Sequence, residues 1–146
     1  MGNVIIISGH GSYASGISGF VRMVAGEIKG VEYIDFSENL TVEDLQGEFQ
    51  KMLKCYGGEK ILFLCDIVGG TPFNEAVKCA VCRIDTEVVA GGNPASILEA
   101  CFMKDSLEMQ ELINGIIENT KNSVVQFDFE AVKESADEEM EPGNGI

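Results

Sequence analysis

The sequence predicts a single α/β domain built on a doubly wound, mainly parallel β-sheet with helices on both faces. Two observations predict it. Apolar runs typical of buried strands alternate along the chain with segments in which apolar residues recur at helical spacing. The 146 residues are also enough for one domain to bury a sizeable core without disulfides or metal. Strands that alternate with helices pair in parallel through right-handed crossovers, and such a sheet is commonly ordered 2-1-3-4.

The first strand, the first helix and the second strand follow one another near the start of the chain. An apolar run dominates residues 3 to 8 and predicts a buried strand. Apolar side chains then recur at helical spacing, which predicts a helix over residues 12 to 28. Residues 31 to 36 alternate between apolar and polar side chains, and this alternation predicts the second strand.

The second helix and the third strand come next. Thr41, with Asp44 three residues later, is a capping signal for a helix that Gly57-Gly58 ends. Residues 61 to 65 are apolar on both faces, so we expect this strand to lie in the centre of the sheet.

Two further helices are predicted to begin in the same way, with glycines, a capping residue and a proline. Thr71 is expected to be the N-cap and Pro72 the first residue of a helix that extends to Cys82. Residues 86 to 90 are expected to form the fourth strand. Asn93, which also follows two glycines and precedes a proline, then predicts the next N-cap.

The last part of the chain predicts one more helix, a fifth strand and an acidic tail. Asp105 with Glu108 indicates the start of an amphipathic helix. Residues 123 to 129 alternate and place apolar side chains on one face, which predicts an antiparallel fifth strand that pairs either with an edge of its own sheet or with that of another subunit. The acidic composition from Glu130 onward predicts a solvated, disordered tail. The expected organisation is a domain over residues 1 to 129 and a tail over residues 130 to 146.

The net charge of −14 restricts the classes of partner. A surface of this sign repels nucleic-acid backbones and anionic membranes, so neither is expected to bind directly. We find no pattern of a signal peptide, a myristoylation site or a membrane span, which predicts a cytoplasmic protein.

The five cysteines are expected to be reduced thiols of the core. Cys79 and Cys82 form a CxxC motif, but it lies inside a predicted helix and no second CxxC accompanies it. We therefore expect neither a metal site nor a redox motif there.

The single histidine, His10, follows the first strand and stands between two glycines. Asp66 follows the third strand. In a 2-1-3-4 sheet the carboxyl ends of strands one and three meet where the winding reverses, so these two side chains are expected to lie together. A carboxylate on one ring nitrogen fixes the tautomer and leaves the other nitrogen free as a nucleophile. We predict catalytic roles for both residues.

Glycine-rich turns surround the predicted pair. The loop Gly69-Gly70-Thr71 opens a helix and offers backbone N–H groups and a helix dipole to an anion such as a phosphoryl group. No Gly-Lys-Ser/Thr follows, so it is not a P-loop. The expected phosphoryl-binding residues are Gly11, Gly69, Gly70 and Thr71, and no cofactor or metal is expected. Histidine, carboxylate and anion cradle together predict a phosphohistidine carrier.

Three sequence blocks support this interpretation: an apolar strand ending in His10-Gly11, then Asp66-x-x-Gly69-Gly70-Thr71-Pro72-Phe73-Asn74, then Gly91-Gly92-Asn93-Pro94. From about residue 3 to 129 the chain resembles the EIIA component of the mannose family of the bacterial sugar phosphotransferase system. Many members have serine where this chain has Thr71, and threonine keeps the hydroxyl group.

The resemblance implies the following expectations. His10 would take phosphate from the carrier protein HPr and pass it to a separate EIIB subunit, with Asp66 hydrogen-bonded to His10 and Thr71 near the phosphoryl group. The chain would be a homodimer in which the fifth strand crosses to the partner's sheet. Contact with the membrane would be indirect, through EIIC and EIID.

Two alternatives stay open. The first is the phosphoryl-donor subunit of a dihydroxyacetone kinase, which resembles the same family, although the Gly-Gly-Thr-Pro-Phe-Asn block favours the sugar system. The second is a flavodoxin-like module that binds FMN at the same switch point. Against it, the loop after strand one is not rich in serine and threonine, and Tyr13 is the only aromatic residue close to it. The sugar is selected by the membrane subunits, so neighbouring genes rather than this chain would identify it.

Overall fold

The computed structural model describes residues 2 to 134 and shows a four-stranded parallel sheet ordered β2-β1-β3-β4. The strands are β1 (Asn3–His10), β2 (Val31–Phe36), β3 (Lys60–Cys65) and β4 (Thr86–Ala90). The helices are α1 (Tyr13–Ala25), α2 (Val42–Cys55), α3 (Thr71–Cys82), α4 (Pro94–Met103), α5 (Met109–Ser123) and α6 (Phe129–Glu134). The predicted α/β class and the predicted order of these four strands are confirmed.

The core has two layers because successive side chains of a strand point to opposite faces of the sheet. Ile5 and Ile7 of β1 pack on one face, together with buried residues of α1, α4 and α5. Val4 and Ile6 pack on the other face, against α2 and α3. Phe49 of α2 packs against Phe63 of β3, with ring centroids 4.9 Å apart and ring planes tilted by 48°. This contact joins α2 to the sheet in the second layer.

Helix starts agree with the sequence in two cases and differ in two. The capping boxes at Thr41 and Asn93 are both present. Helix α3, however, has Gly70 as its N-cap and Thr71 as its first residue, because the Gly70 carbonyl already accepts the Asn74 N–H at 2.9 Å.

Helix α5 begins at Met109, so the expected start at Asp105 is wrong. Its N-cap is Glu108, whose backbone N–H donates to the Glu111 carboxylate at 3.2 Å. Asp105 lies outside the helix and pairs with the buried Lys104 at 2.8 Å. Two acids three residues apart do mark the start of this helix, but the pair that forms the capping box is Glu108 and Glu111, three residues after the predicted pair.

The predicted fifth strand is not among the strands of residues 2 to 134. Ser123 is still helical, residues 124 to 128 have no regular structure, and Phe129 begins α6. A strand needs a neighbour to receive its backbone hydrogen bonds, and this segment pairs with no strand among residues 2 to 134. Residues 130 to 134 of the expected tail are helical, and residues 135 to 146 lie outside the described part. Exchange of the segment between subunits stays a prediction.

Candidate functional site

His10 is the last residue of β1, and Asp66 is the first residue after β3. The two strands pair directly, with Ser8 opposite Cys65, so their carboxyl ends lie side by side. The sheet therefore brings together two residues that are 56 positions apart in sequence. This is the juxtaposition that the strand order predicts.

The Asp66 carboxylate holds His10 by two hydrogen bonds. Its Oδ2 atom lies 2.7 Å from Nδ1 of the His10 ring and accepts the His10 backbone N–H at 2.9 Å. The other oxygen, Oδ1, accepts the Ile67 backbone N–H at 2.9 Å. Because an ionised carboxylate only accepts hydrogen bonds, Nδ1 carries the proton and Nε2 presents a lone pair.

The same contacts keep Asp66 ionised. Partial burial pushes the pKa of its carboxyl group up, but hydrogen bonds from the His10 amide, the His10 ring and the Ile67 amide outweigh burial. The net result is a pKa below the usual range for aspartate. A negative charge is therefore fixed beside Nδ1, where it stabilises a cationic ring.

The imidazole is open on one side and supported on the other. Its side chain is 45% exposed, whereas that of Asp66 is 14% exposed. Phe36 at the end of β2 meets the ring edge-on, with centroids 6.1 Å apart. The imidazole is thus partly exposed, while the carboxylate that holds its Nδ1 atom is shielded.

Gly70 lies directly against this ring. A Cβ atom built on Gly70 would be 2.6 Å from Cε1 and 3.3 Å from Nε2 of His10. Gly69 before it has φ +80°, which favours glycine. The glycines let the loop between β3 and α3 pass close to the nucleophile.

This loop ends in a helix N-terminus with unused donors. Within residues 2 to 134 no acceptor takes the backbone N–H groups of Gly69, Gly70 or Thr71, or the Thr71 hydroxyl. A hydrogen bond stabilises the loop, because the Asn74 side-chain amide donates to the Gly69 carbonyl at 3.0 Å. Free amides at the positive end of α3 suit a phosphoryl group.

Gly11 shapes the turn after β1 and offers no free hydrogen-bond donor to the site. Its backbone N–H donates to the Phe36 carbonyl at 2.8 Å, which leaves no Gly11 amide for a phosphoryl group. Its φ of +59° is the left-handed conformation that turns the chain from β1 into α1. The space that a side chain would occupy is open.

Sequence reasoning missed two contacts at the site. A Cβ atom on Gly9 would lie 2.4 Å from the Tyr13 ring and 2.9 Å from Cγ of Asp66. Burial, followed by the charges of Asp66 and Cys65, raises the pKa of Tyr13. Because Gly9 has no side chain, both the Tyr13 ring and the Asp66 carboxylate fit against it. The glycine directly before His10 was the sequence signal that could have predicted this close packing.

The second omission is an apolar rim. Ile67 and Val68 follow Asp66 and are 57% and 76% exposed. Two large apolar side chains in a loop next to a nucleophile are typical of a surface that receives another protein. Their place directly after Asp66 was visible in the sequence.

The remaining candidates lie away from the pair. Asn93 caps α4 and ties the end of α5 by donating to the Ser123 hydroxyl at 2.8 Å. Cys79 and Cys82 are free thiols within α3. Cys82 and Cys55 are exposed, so the expectation that all five cysteines lie in the core is wrong for these two. The described residues contain no group of three or more side chains placed to hold a metal ion, and no described helix is long and apolar enough to cross a membrane.

Comparisons with known proteins identify the family to which the chain is similar. Residues 4 to 117 match the EIIA-man family, described as the PTS system fructose IIA component. The chain is 30% identical over 113 residues to the fructose-specific EIIA component of Bacillus subtilis, covering 77% of each protein. It is also 30% identical over 134 residues to the mannose-specific EIIAB component of Escherichia coli, covering 90% of this chain and 42% of that protein.

Solved structures show the same fold. The mannose/sorbose specific IIA subunit from Enterococcus faecalis superposes with a TM-score of 0.81 at 26% identity, covering 88% of this chain and 97% of that one. An EIIA component from Streptococcus agalactiae gives a TM-score of 0.78 at 28% identity, covering 88% and 98%.

Proposed function

Because the chain belongs to the mannose-family EIIA components of the bacterial sugar phosphotransferase system, we propose that His10 carries a phosphoryl group between HPr and an EIIB component. The observation that carries the proposal is the His10–Asp66 pair, in which Nδ1 is held at 2.7 Å and the ring is otherwise exposed. In this role the chain works in the cytoplasm and meets the membrane only indirectly, through EIIC and EIID.

The transfer is a displacement at phosphorus. The lone pair on His10 Nε2 attacks the phosphoryl group of phospho-HPr, a new P–N bond forms, and the P–N bond in HPr breaks. The electrons of the broken bond return to the HPr histidine. No proton has to move, because Nδ1 of His10 keeps its proton throughout. Transfer to EIIB repeats the displacement with His10 as the leaving group.

Asp66 acts through charge and orientation. Attack turns the His10 ring into a cation whose Nδ1–H still points at Oδ2, so the charge of Asp66 stabilises the phosphorylated form. The second hydrogen bond, from the His10 backbone, prevents the carboxylate from rotating away. Such positioning and charge stabilisation supply most of the catalysis that phosphoryl transfer requires.

The loop before α3 supplies the anion site. The free N–H groups of Gly70 and Thr71, together with the Thr71 hydroxyl, are proposed to donate to the phosphoryl oxygens. The bare α-carbon of Gly70 leaves room for a phosphate beside Nε2. The positive end of α3 adds an attraction that falls off within its first turn.

The direct test is phosphorylation with phosphoenolpyruvate, EI and HPr. We expect one phosphate per chain that is labile in acid and stable in base, and we expect His10→Ala to abolish it. The matched control is Asn93→Ala, which changes a polar residue at the end of β4 and should leave labelling intact. Labelling that persists in folded His10→Ala would refute the proposal.

We further propose that the active form is a homodimer with exchanged C-terminal segments. Strand β4 is an edge strand within the described sheet, so its outer backbone groups are open. Beside it, α3 and the turn after it expose an apolar stripe formed by Val77, Val81 and Ile84. The segment after α5 exposes Val124, Val125, Phe127 and Phe129. In a dimer, the exposed segment of one copy can pair with the open β4 edge of the other copy and cover its apolar stripe.

The relatives are named as components specific for different sugars, with fructose, mannose and sorbose all represented. These names are consistent with a sugar phosphotransferase rather than with a dihydroxyacetone kinase or a flavin module. We expect an absorbance scan of the purified protein to show no flavin band. Bound flavin would favour the FMN-binding module instead.

A further inference from the structure

A groove of about 560 Å³ lies between α2 and α3, on the face of the sheet that packs Val4 and Ile6. Phe49, Leu53 and Cys79 line its apolar part. Its volume is in the range of a ligand site, and none of its lining residues belongs to the His10 site. The proposed phosphoryl transfer leaves this groove without a role.

The groove is basic, although the protein is strongly acidic. Its charged lining residues are Lys54, Lys78, Arg83 and a single acid, Glu75. The whole chain has 10 basic and 24 acidic residues, so the groove reverses the sign of the surface around it. A local excess of positive charge on an acidic protein attracts an acidic ligand.

The cations are held in place by different means. Arg83 donates to the carbonyls of Tyr56 and Glu59 at 3.0 and 2.6 Å, which fixes its guanidinium at the end of the groove. Lys78 pairs at 2.9 Å with Glu75, a buried carboxylate that also accepts from the Gln46 amide. Lys54 has no ion-pair partner within residues 2 to 134. Lys54 is therefore the cation most available to a ligand.

The chain contains an acidic segment that matches this groove. Residues 135 to 146 carry four acids, no lysine and no arginine. Asp137, Glu138 and Glu139 are consecutive, and Met140 follows them before Glu141. Carboxylates can meet the basic rim while an unbranched methionine fills an irregular apolar floor.

The proposed dimer delivers this segment to the groove of the other subunit. An exchanged strand antiparallel to β4 runs toward the amino end of β4 at Thr86, three positions after Arg83. In that arrangement α6 follows the strand at this end of β4, and the chain after α6 would start on the Arg83 side of the groove. We propose that residues 135 to 146 of one subunit dock in the α2–α3 groove of its partner; the delivery rests on the exchange proposed above.

Two exposed thiols allow a test with an internal control. Cys82 lines the groove and Cys55 does not, while both are free and exposed. Full-length protein is alkylated briefly with iodoacetamide at low salt, and the modification rates of the two thiols are compared by mass spectrometry. The comparison protein is the full-length variant with Asp137→Asn, Glu138→Gln, Glu139→Gln and Glu141→Gln.

We expect Cys82 to react roughly fivefold more slowly relative to Cys55 in the native sequence than in the neutralised variant, because a few weak ion pairs act together at high effective concentration. Lys54→Glu should remove the same protection. The matched control Lys51→Glu changes a lysine of α2 that does not line the groove, and it should keep the protection. About 1 M salt should also abolish it, because the screening length falls to about 3 Å.

A ratio that does not differ between native and neutralised chains would overturn the docking. Sedimentation of the same samples separates this outcome from failure of the exchanged dimer. Protection in a chain that sediments as a monomer would show docking in its own groove and would overturn delivery to the partner. A dimer without protection would leave the proposed exchange and the His10 chemistry standing.

Discussion

Gly70 and His10 are in direct contact, with the position of a Gly70 Cβ only 2.6 Å from Cε1 of the imidazole. The loop that is proposed to bind the phosphoryl group and the histidine that is proposed to carry it therefore constrain each other's positions. Gly70 has φ −74°, which any residue can adopt, so the close approach to His10, and not the turn, is what calls for glycine at this position.

We expect Gly70→Ala to lower the rate of His10 phosphorylation by about 100-fold, because a misplacement of about 1 Å at a reacting group can cost that much. The new methyl group must push the imidazole or the loop aside. Single-turnover transfer from phospho-HPr measures the effect. The matched control is Gly47→Ala in α2, where the added Cβ meets nothing within 4 Å. A rate for Gly70→Ala equal to that of the control would contradict the close approach.

Asp66→Asn tests the charge beside Nδ1. The amide can still accept a hydrogen bond from the ring, but it carries no charge to stabilise the cation formed by attack. Loss of one charge-assisted hydrogen bond corresponds to about 1.5–3 kcal/mol, or roughly 10- to 100-fold in rate. We expect that loss in single-turnover transfer. Asp85→Asn, which changes an aspartate of the loop before β4, is the control, and equal rates for both variants would remove Asp66 from the mechanism.

The lowered pKa of Asp66 also predicts how its contribution to stability depends on pH. The hydrogen bonds from His10 and Ile67 favour the ionised carboxyl group in the folded state. Their contribution is therefore complete above the ordinary aspartate pKa of about 3.9 and is lost as the pH falls through the lower folded value. Urea unfolding should show Asp66→Asn less stable than the native protein at neutral pH. The difference should shrink toward zero in strong acid, and a difference that grows there would contradict the assignment.

Gly9→Ala tests the contacts that the sequence did not reveal. Its methyl group would lie 2.4 Å from the Tyr13 ring and 2.9 Å from Cγ of Asp66, so either the ring or the carboxylate must move. Overpacking of this kind typically costs about 1–3 kcal/mol of stability. We expect a lower melting temperature and slower phosphorylation in the same variant. Gly19→Ala within α1, where the space is open, should leave the phosphorylation rate unchanged and should not lower the melting temperature, because alanine favours a helix more than glycine does.

The parts of the fold that were predictable depend on local patterns and on sheet topology. Continuous apolar runs located β1 and β3, alternation located β2, and the 2-1-3-4 order then placed Asp66 beside His10. The contact of Gly9 with Tyr13 depends on the rotation of α1 against the sheet, which spacing alone does not specify. The sequence also could not show that the Gly11 N–H donates to the Phe36 carbonyl and is therefore not free to bind a phosphoryl group.

The C-terminal segment differs from these cases because its structure depends on a neighbour. Its alternation predicts one apolar face, yet no strand in the described part of the chain pairs with it and its apolar side chains stay exposed. Phe127 and Phe129 contact each other edge-on, with centroids 4.6 Å apart, instead of packing in the core. A period-2 pattern indicates that a face is to be covered, but it does not specify which chain covers it.

Removal of this segment tests the exchanged dimer. If the segment of one subunit covers β4 of the other, a chain truncated after Asn122 loses both the edge partner and the apolar cover over Val81 and its neighbours. Open strand edges and exposed apolar surface then favour association without a defined stoichiometry. We expect the truncated chain to aggregate or unfold, whereas the full chain should sediment as one dimer.

A milder variant separates exchange from loss of folding. Phe127→Asp places a charge on the apolar face of the segment, and we expect it to weaken the dimer and raise the fraction of monomer at low concentration. Gln126→Asp, at the neighbouring position on the opposite face of an alternating strand, is the matched control and should remain dimeric. Sedimentation velocity across a concentration series measures both. A stable, monodisperse dimer of the chain truncated after Asn122 would rule out exchange, because residues 124 to 129 would then be dispensable for the subunit contact.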